Sequence, residues 1–184
     1  AYVALGLLIA SLGASFLELQ RQTGAAPAQL TFVFTLRSFG YLVGSAAGGV
    51  LLDRFPHAGT PTIAVSLFAT AISTSLVPSA ASVVVLCVLF CTQGIAMGAL
   101  DTIANVIIIY LWQDGAGPWM QGLHAAFAVG AVISPLVVRL SQSLSASGTS
   151  ISAAFYAFSM VTGLCGVYFC FVPTPAPREK KIET

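Results

Sequence analysis

Six apolar stretches, each long enough to cross a bilayer, take up nearly all of this 184-residue chain. A membrane-spanning helix needs about 20 residues at a rise of about 1.5 Å each. The stretches fall at residues 1–20, 30–52, 61–77, 82–112, 118–141 and 151–172. The expected fold is an all-α membrane protein: a six-transmembrane-helix bundle over residues 1–172, then a cytoplasmic linker or tail over 173–184. Turn-forming segments separate the spans. Gln20 to Gln29 is polar, Asp53-Arg54 leads into a loop with Pro56, His57 and Gly59, and Pro78-Ser79 follows the third span. Gln113 to Gly117 is a tight connection, with Pro118 suited to the first turn of the next helix. Ser141 to Ser150 is a Ser/Gly loop, and Pro173 to Thr184 is Pro-rich, then charged, as linkers are. The fourth span exceeds what a bilayer requires, so it is expected to tilt or to project inward.

Charge is scarce. Only 7% of residues are charged and 57% are hydrophobic, whereas a soluble domain carries roughly a quarter charged residues. A chain so apolar lacks the polar surface to face water. Its net charge of +1 offers no basic patch for phosphates, which argues against nucleic acid. The chain opens at Ala1 inside an apolar run, with no basic region or small-residue cleavage site. The expectation is a missing N-terminus, not a signal peptide. Cys87, Cys91, Cys165 and Cys170 lie in apolar segments without a His or carboxylate beside them to complete a metal site, and read as small buried hydrophobes. Lys and Arg in short loops set orientation. Arg54, Arg178, Lys180 and Lys181 collect on one side, and Arg21 and Arg139 on the other, so both termini are expected in the cytoplasm. Trp112 and Trp119 flank the inner loop as interfacial anchors do.

Against this background a few ionisable residues stand out. A charged side chain at lipid depth is costly and marks a functional site by default. Asp101 lies about eleven residues, roughly 16 Å, from the inner end of the fourth span. Asn105 lies one turn nearer the inside, and Gly94, Gly98, Asp101 and Asn105 share one helix face. Gln121 and His124 enter from the inner end of the fifth span to similar depth. Asp101, Asn105, Gln121 and His124 are the donors and acceptors a polyhydroxylated ligand needs, and Asp101 is the group to take a proton or coordinate Na⁺. The bland alternatives stay open: a structural carboxylate for Asp101, and interhelical hydrogen bonds for the other three. Nearer the outside, Glu18 and Arg37 are expected to pair across adjacent helices, with a cation role for Glu18 as the alternative. Small residues at spacing four (Gly40, Gly44 and Gly48; Gly94 and Gly98) permit close helix contact, either static or sliding. No nucleophile with a base, metal-ligand set or phosphate-cradling loop is present, so no enzyme and no cofactor are expected beyond a coupling Na⁺ or H⁺.

The stretch Gly48 to Phe55 (GGVLLDRF) resembles the signature loop of the major facilitator superfamily. By that resemblance Gly49, Asp53 and Arg54 belong to the cytoplasmic gate. Pro56-His57-Ala58-Gly59 replaces the basic residues expected downstream. RSFGYLVGS at 37–45, LDTIANV at 100–106 and MQGLHAAFAVGA at 120–131 resemble the sodium-dependent glucose transporter-like branch, a relative of the bacterial fucose:proton symporters. In those symporters a fourth-span acid followed by Asn belongs to the sugar and proton site, a pattern Asp101 and Asn105 match. Their fifth-span Asn falls at Ala128 here. The family has twelve spans in two halves with the substrate between them. The resemblance therefore implies that this chain is the N-terminal half of such a carrier. It implies a secondary active transporter that moves a sugar such as glucose across the plasma membrane by alternating access, coupled to Na⁺ or H⁺. The partners are the lipid bilayer, the sugar, and the missing C-terminal six-span half or a second copy. The alternative is a truncated, non-transporting carrier that acts as a membrane interaction partner or receptor.

Overall fold

The computed structural model describes residues 1–145 and 150–175. Among these residues the chain is helical, without strands. The helices are α1 (Tyr2–Ala14), α2 (Phe16–Thr23), α3 (Pro27–Arg54), α4 (Gly59–Leu76), α5 (Val83–Trp112), α6 (Ala116–Leu144) and α7 (Ser152–Cys170). Single 3₁₀ turns at Pro56–Ala58, Val77–Ser79 and Gln113–Gly115 join α3 to α4, close α4, and join α5 to α6.

The starts follow local chemistry. Pro27 opens α3, where its missing N–H costs nothing, and Gln29 Oε1 accepts the Ala26 N–H at 3.0 Å. The helix therefore begins three residues before the expected Leu30. Ser82 caps α5, its Oγ accepting the Val85 N–H. Gly24, at φ 64°, supplies the left-handed residue that ends α2.

The largest departure lies in the first span. A single helix over 1–20 was expected. Instead α1 and α2 meet at Ser15 with a bend of 59°. Hydroxyls compete with the helix ladder there: Ser11 Oγ donates to Leu8 O at 2.8 Å and Ser15 Oγ to Ser11 O at 2.6 Å.

Length and apolarity qualify α3, the α4 segment, the stretch Val83–Leu144 and α7 to cross a membrane, and α1 with α2 forms a fifth crossing if counted together. Val83–Leu144 runs 62 residues and contains both α5 and α6. The chain turns back between them, for Trp112 and Trp119 stack with ring centroids 4.3 Å apart. With α1 and α2 counted together and α5 and α6 counted apart, the described residues form six helical segments, as many as the spans the sequence implies.

Three pairings build it: α3 with α5, α1 with α6, and α4 with α7, while α4 also packs on α5. Mapping α1, α3 and α4 onto α5, α6 and α7 turns the first two pairs into each other and the third into itself. The same device builds both exchanged pairs. A Cβ on Gly44 would strike the carbonyl of Ile95, and one on Gly98 that of Tyr41; a Cβ on Gly6 would strike the carbonyl of Phe127, and one on Gly130 that of Val3. In each case the carbonyl belongs to the residue three before the opposing glycine. Lipid gives helices no hydrophobic reason to associate, so contact rests on dispersion at close range, and only glycine permits backbones this near. Polar links add to it: Ser134 Oγ donates to Leu7 O at 2.6 Å, and Gln93 Nε2 to Thr74 Oγ1 at 2.8 Å. The centre is closed by Leu8, Leu12, Leu86, Phe90, Met97 and Phe155.

After α7, Thr174 Oγ1 accepts the Thr60 N–H at 3.1 Å, which seats the start of the tail on α4. Residues 146–149 of the Ser/Gly loop, and Arg178, Lys180 and Lys181 of the tail, lie outside the described residues.

Gly44→Leu should lower stability in detergent by at least about 1–3 kcal/mol, the cost of overpacking, because the Ile95 carbonyl is backbone and cannot swing aside. Gly122→Ala has no atom within 4 Å of its new methyl and should gain up to about 1 kcal/mol of helix propensity. Thermal unfolding of both variants checks the contrast.

Candidate functional site

The glycine contacts bring three helices within reach of one carboxylate. Asp101, on α5, receives hydrogen bonds at both oxygens. Tyr2 of α1 donates its hydroxyl to Oδ1 at 2.8 Å, and Tyr41 of α3 donates to Oδ2 at 2.8 Å. Asn105, one turn along α5, donates its amide to Oδ1 at 3.2 Å, to the Asp101 carbonyl at 2.9 Å and to the Tyr2 hydroxyl oxygen at 2.9 Å. Asn105 Oδ1 is buried and has no hydrogen-bond partner. Leaving a buried acceptor unpaired costs about 1–3 kcal/mol.

Asp101, Asn105 and Tyr41 are each partly exposed, while Tyr2 is buried. His124, on α6, reaches the cluster only through the Tyr2 ring, edge to face at 6.4 Å. Both His124 and Gln121 are exposed. Among the described residues neither makes a hydrogen bond, so the four side chains grouped by depth do not form one hydrogen-bonded set. Tyr2 also forms one end of an apolar cavity of about 350 Å³, with Ile63, Ala104, Ile107, Leu123 and Phe169 among its walls. The cavity lies on the side of Asp101 toward the α5–α6 turn.

Glu18 and Arg37 do not pair, contrary to expectation. Glu18 sits beyond the bend, on α2, with Oε2 3.6 Å from Arg21 Nη1 in a half-solvated i,i+3 contact. Arg37 is buried. Its Nη2 donates to the Leu8 carbonyl at 2.9 Å and its Nη1 to the Ile9 carbonyl at 3.3 Å, and the guanidinium lies over the Phe90 ring at 5.6 Å. Carbonyls from the middle of α1 thus take the place of a carboxylate, and the Phe90 ring adds a cation–π contact. A straight first helix would have carried Glu18 along the same axis; the bend carries it away.

The expected gate residues lie at the end of α3. Asp53 and Arg54 are exposed, and neither forms an ion pair among the described residues. Gly49 has no close neighbour, the nearest atom to a Cβ there being Thr102 Cγ2 at 3.8 Å. Tight packing falls on Gly48 instead, where a Cβ would meet Ala99 Cα at 2.9 Å. Cys87 and Cys91 are free thiols, and no group of residues suited to a metal ion occurs among the described residues.

A helical bundle that spans a membrane and carries a hydrogen-bonded acid among its glycine-packed helices has the architecture of half a membrane carrier. The Major Facilitator Superfamily model matches residues 1–184, and the chain belongs to that superfamily. It is a multi-pass membrane protein. The chain is 38% identical to sodium-dependent glucose transporter 1 of Xenopus laevis over 134 residues, 73% of this chain and 27% of that protein. It is 36% identical to the Homo sapiens protein of the same name over 146 residues, 79% of this chain and 28% of that protein. Major facilitator superfamily domain-containing protein 4A of Pongo abelii is 34% identical over 140 residues, 74% of this chain and 26% of that protein. The matched stretch thus spans about a quarter of each relative. The exchange symmetry of the helix pairs fits the inverted three-helix repeats nested within each half of these carriers.

Glu18→Gln should leave stability within about 0.5 kcal/mol of the parent, as for a surface contact. Had Glu18 held the buried Arg37, its loss would cost about 3–5 kcal/mol. Thermal unfolding separates the two values.

Proposed function

We propose that this chain is one six-helix half of a secondary active transporter that moves a sugar such as glucose across the plasma membrane, driven by Na⁺ or H⁺. The carrying observation is the Asp101 cluster: a partly exposed carboxylate in a membrane bundle, tied to residues of three helices. Asp101 is the coupling acid. Its charge disfavours movement of the empty site through the low-dielectric barrier, and a bound cation neutralises it. Asn105 Oδ1 accepts a sugar hydroxyl, and Gln121 and His124 meet the ligand from α6 once it bridges the gap to them. The apolar cavity beside Tyr2 suits the C–H faces of a hexose. The names of the relatives support this substrate and this ion.

In this reading the open face of the bundle meets a C-terminal six-helix half or a second copy, and the site lies between them. Both termini face the cytoplasm, where Gly49, Asp53 and Arg54 form the inner gate against that partner. Cation and sugar binding then allow the halves to rock about the site. Glu18, beside Arg21, is the second candidate for the coupling cation.

Asp101→Asn keeps the shape of the side chain but removes its charge. In sealed vesicles holding the chain together with a second six-helix half, the parent should concentrate labelled glucose under an inward Na⁺ or H⁺ gradient. The variant should insert normally and fail to concentrate it. Undiminished concentrative uptake by the variant would refute the assignment.

A further inference from the structure

The cluster holds two residues that charge and depth did not single out. We propose that Tyr2 and Tyr41 are positioning residues that compete with the coupling cation for the Asp101 carboxylate, so that a cation binding there loosens the hydrogen-bond ties of α1 and α3 to α5. The inference rests on Asp101 being the coupling acid, as proposed above.

The argument begins with hydrogens. The Tyr2 oxygen accepts from Asn105 Nδ2 at 2.9 Å, so its own hydrogen is free to point at Asp101 Oδ1, 2.8 Å away. The Tyr41 hydroxyl lies 2.8 Å from Oδ2. Each carboxylate oxygen therefore has a phenolic hydrogen on a lone pair. A proton arriving from water makes one oxygen a hydroxyl, which is a donor and a weaker acceptor. The phenol facing it then holds a weaker bond. A Na⁺ ion needs the same lone pairs and meets the same two hydrogens. Either cation therefore competes with the phenols for the carboxylate's charge and binds at a cost to their hydrogen bonds.

The phenols are also ties between helices. Tyr2 stands on α1, Tyr41 on α3 and Asp101 on α5. Their one common acceptor is this carboxylate, so its charge state is read by three elements at once. Among the described residues no other ionisable group shares the task. Arg37, one turn from Tyr41, spends its guanidinium on the Leu8 and Ile9 carbonyls. His124 of α6 touches only the Tyr2 ring. Helix α4, packed on α5, carries no titratable side chain. The glycine contacts at Gly44 and Gly98 hold α3 against α5 by shape alone, which leaves the Tyr41 bond as the part of that contact that senses charge.

The test needs no transported solute. The full chain in lipid vesicles is titrated with protons in the absence of Na⁺, and separately with Na⁺ at fixed pH. Infrared difference spectra follow the Asp101 carboxylate stretch, identified by its loss in Asp101→Asn. Removing a competing donor should tighten cation binding. Tyr2→Phe and Tyr41→Phe should each lower the half-saturating cation concentration by about tenfold, the scale of one hydrogen bond to a charged group. A merely structural tyrosine would lower thermal stability without tightening cation binding. Midpoints unchanged or weakened in both variants overturn the proposal, as does a parent carboxylate that responds to neither cation. A shift in one variant alone overturns it for the other tyrosine. The two levels stay separate. Concentrative uptake that persists in Asp101→Asn removes the transport role of Asp101 itself. Its loss there, together with unmoved midpoints in the tyrosine variants, removes only the competition.

Discussion

Backbone-to-backbone contact at glycine is the constraint on which the rest of this structure depends. In lipid, apolar side chains gain nothing by leaving one apolar surroundings for another, so association rests on how closely helices fit. Gly44 and Gly98 let α3 lie against α5, and Gly6 and Gly130 let α1 lie against α6. The offset of three residues is common to both pairs. This proximity is what lets the short Asp101 side chain meet a phenol from each of α1 and α3. A helix separation wider by the thickness of one methyl group would open those bonds. Packing and site are thus one design: the glycines fix the distance, and the carboxylate uses it.

The second organising feature is a buried cation with no acid. Arg37 is satisfied by carbonyls of α1, by the Phe90 face and by a sulfur contact with Met97 at 3.7 Å. Its position beside α1, just ahead of the bend at Ser15, ties that bend to α3. Gln22 Nε2 fastens the far side of the bend, donating to the Val77 and Ala80 carbonyls after α4. The end of the bundle beside the bend is therefore held by side-chain-to-backbone bonds, and the middle by side-chain-to-side-chain bonds around Asp101. The first set contains no titrating acid. Among the described residues, the second contains the acid, Asp101.

Much of this was legible in the chain. Long apolar runs set the helices, Pro118 marked a helix start, and Gly40, Gly44, Gly48, Gly94 and Gly98 marked an interface. The Asp101–Asn105 spacing placed both groups on one face, where the structure joins them. What failed to show had physical reasons. The break at Ser15 arises from hydroxyls bonding to carbonyls within an otherwise apolar run, and hydropathy is blind to that. The Glu18–Arg37 pair was inferred from charge and depth, yet depth along a straight axis means little once the axis bends by 59°. Gln121 and His124 share a depth with Asn105 but face open space, because register alone does not fix which way a helix is turned. Tyr2 and Tyr41 escaped notice because aromatics are common in membrane spans. The fully buried Gln93, hydrogen-bonded to Thr74 across α4 and α5, was the polar residue most open to detection and was passed over.

The functional account joins these parts: a glycine-set spacing, a carboxylate shared by three helices, and membership of a superfamily of carriers. Its central claim is that Asp101 borders a water-filled route. Cysteine placed at position 101, in a chain whose four native cysteines are replaced by alanine, tests that claim directly. In sealed vesicles, a membrane-impermeant thiol reagent added from the aqueous phase should label this cysteine, and sugar should slow the labelling. Labelling by lipid-soluble reagents alone would contradict the account.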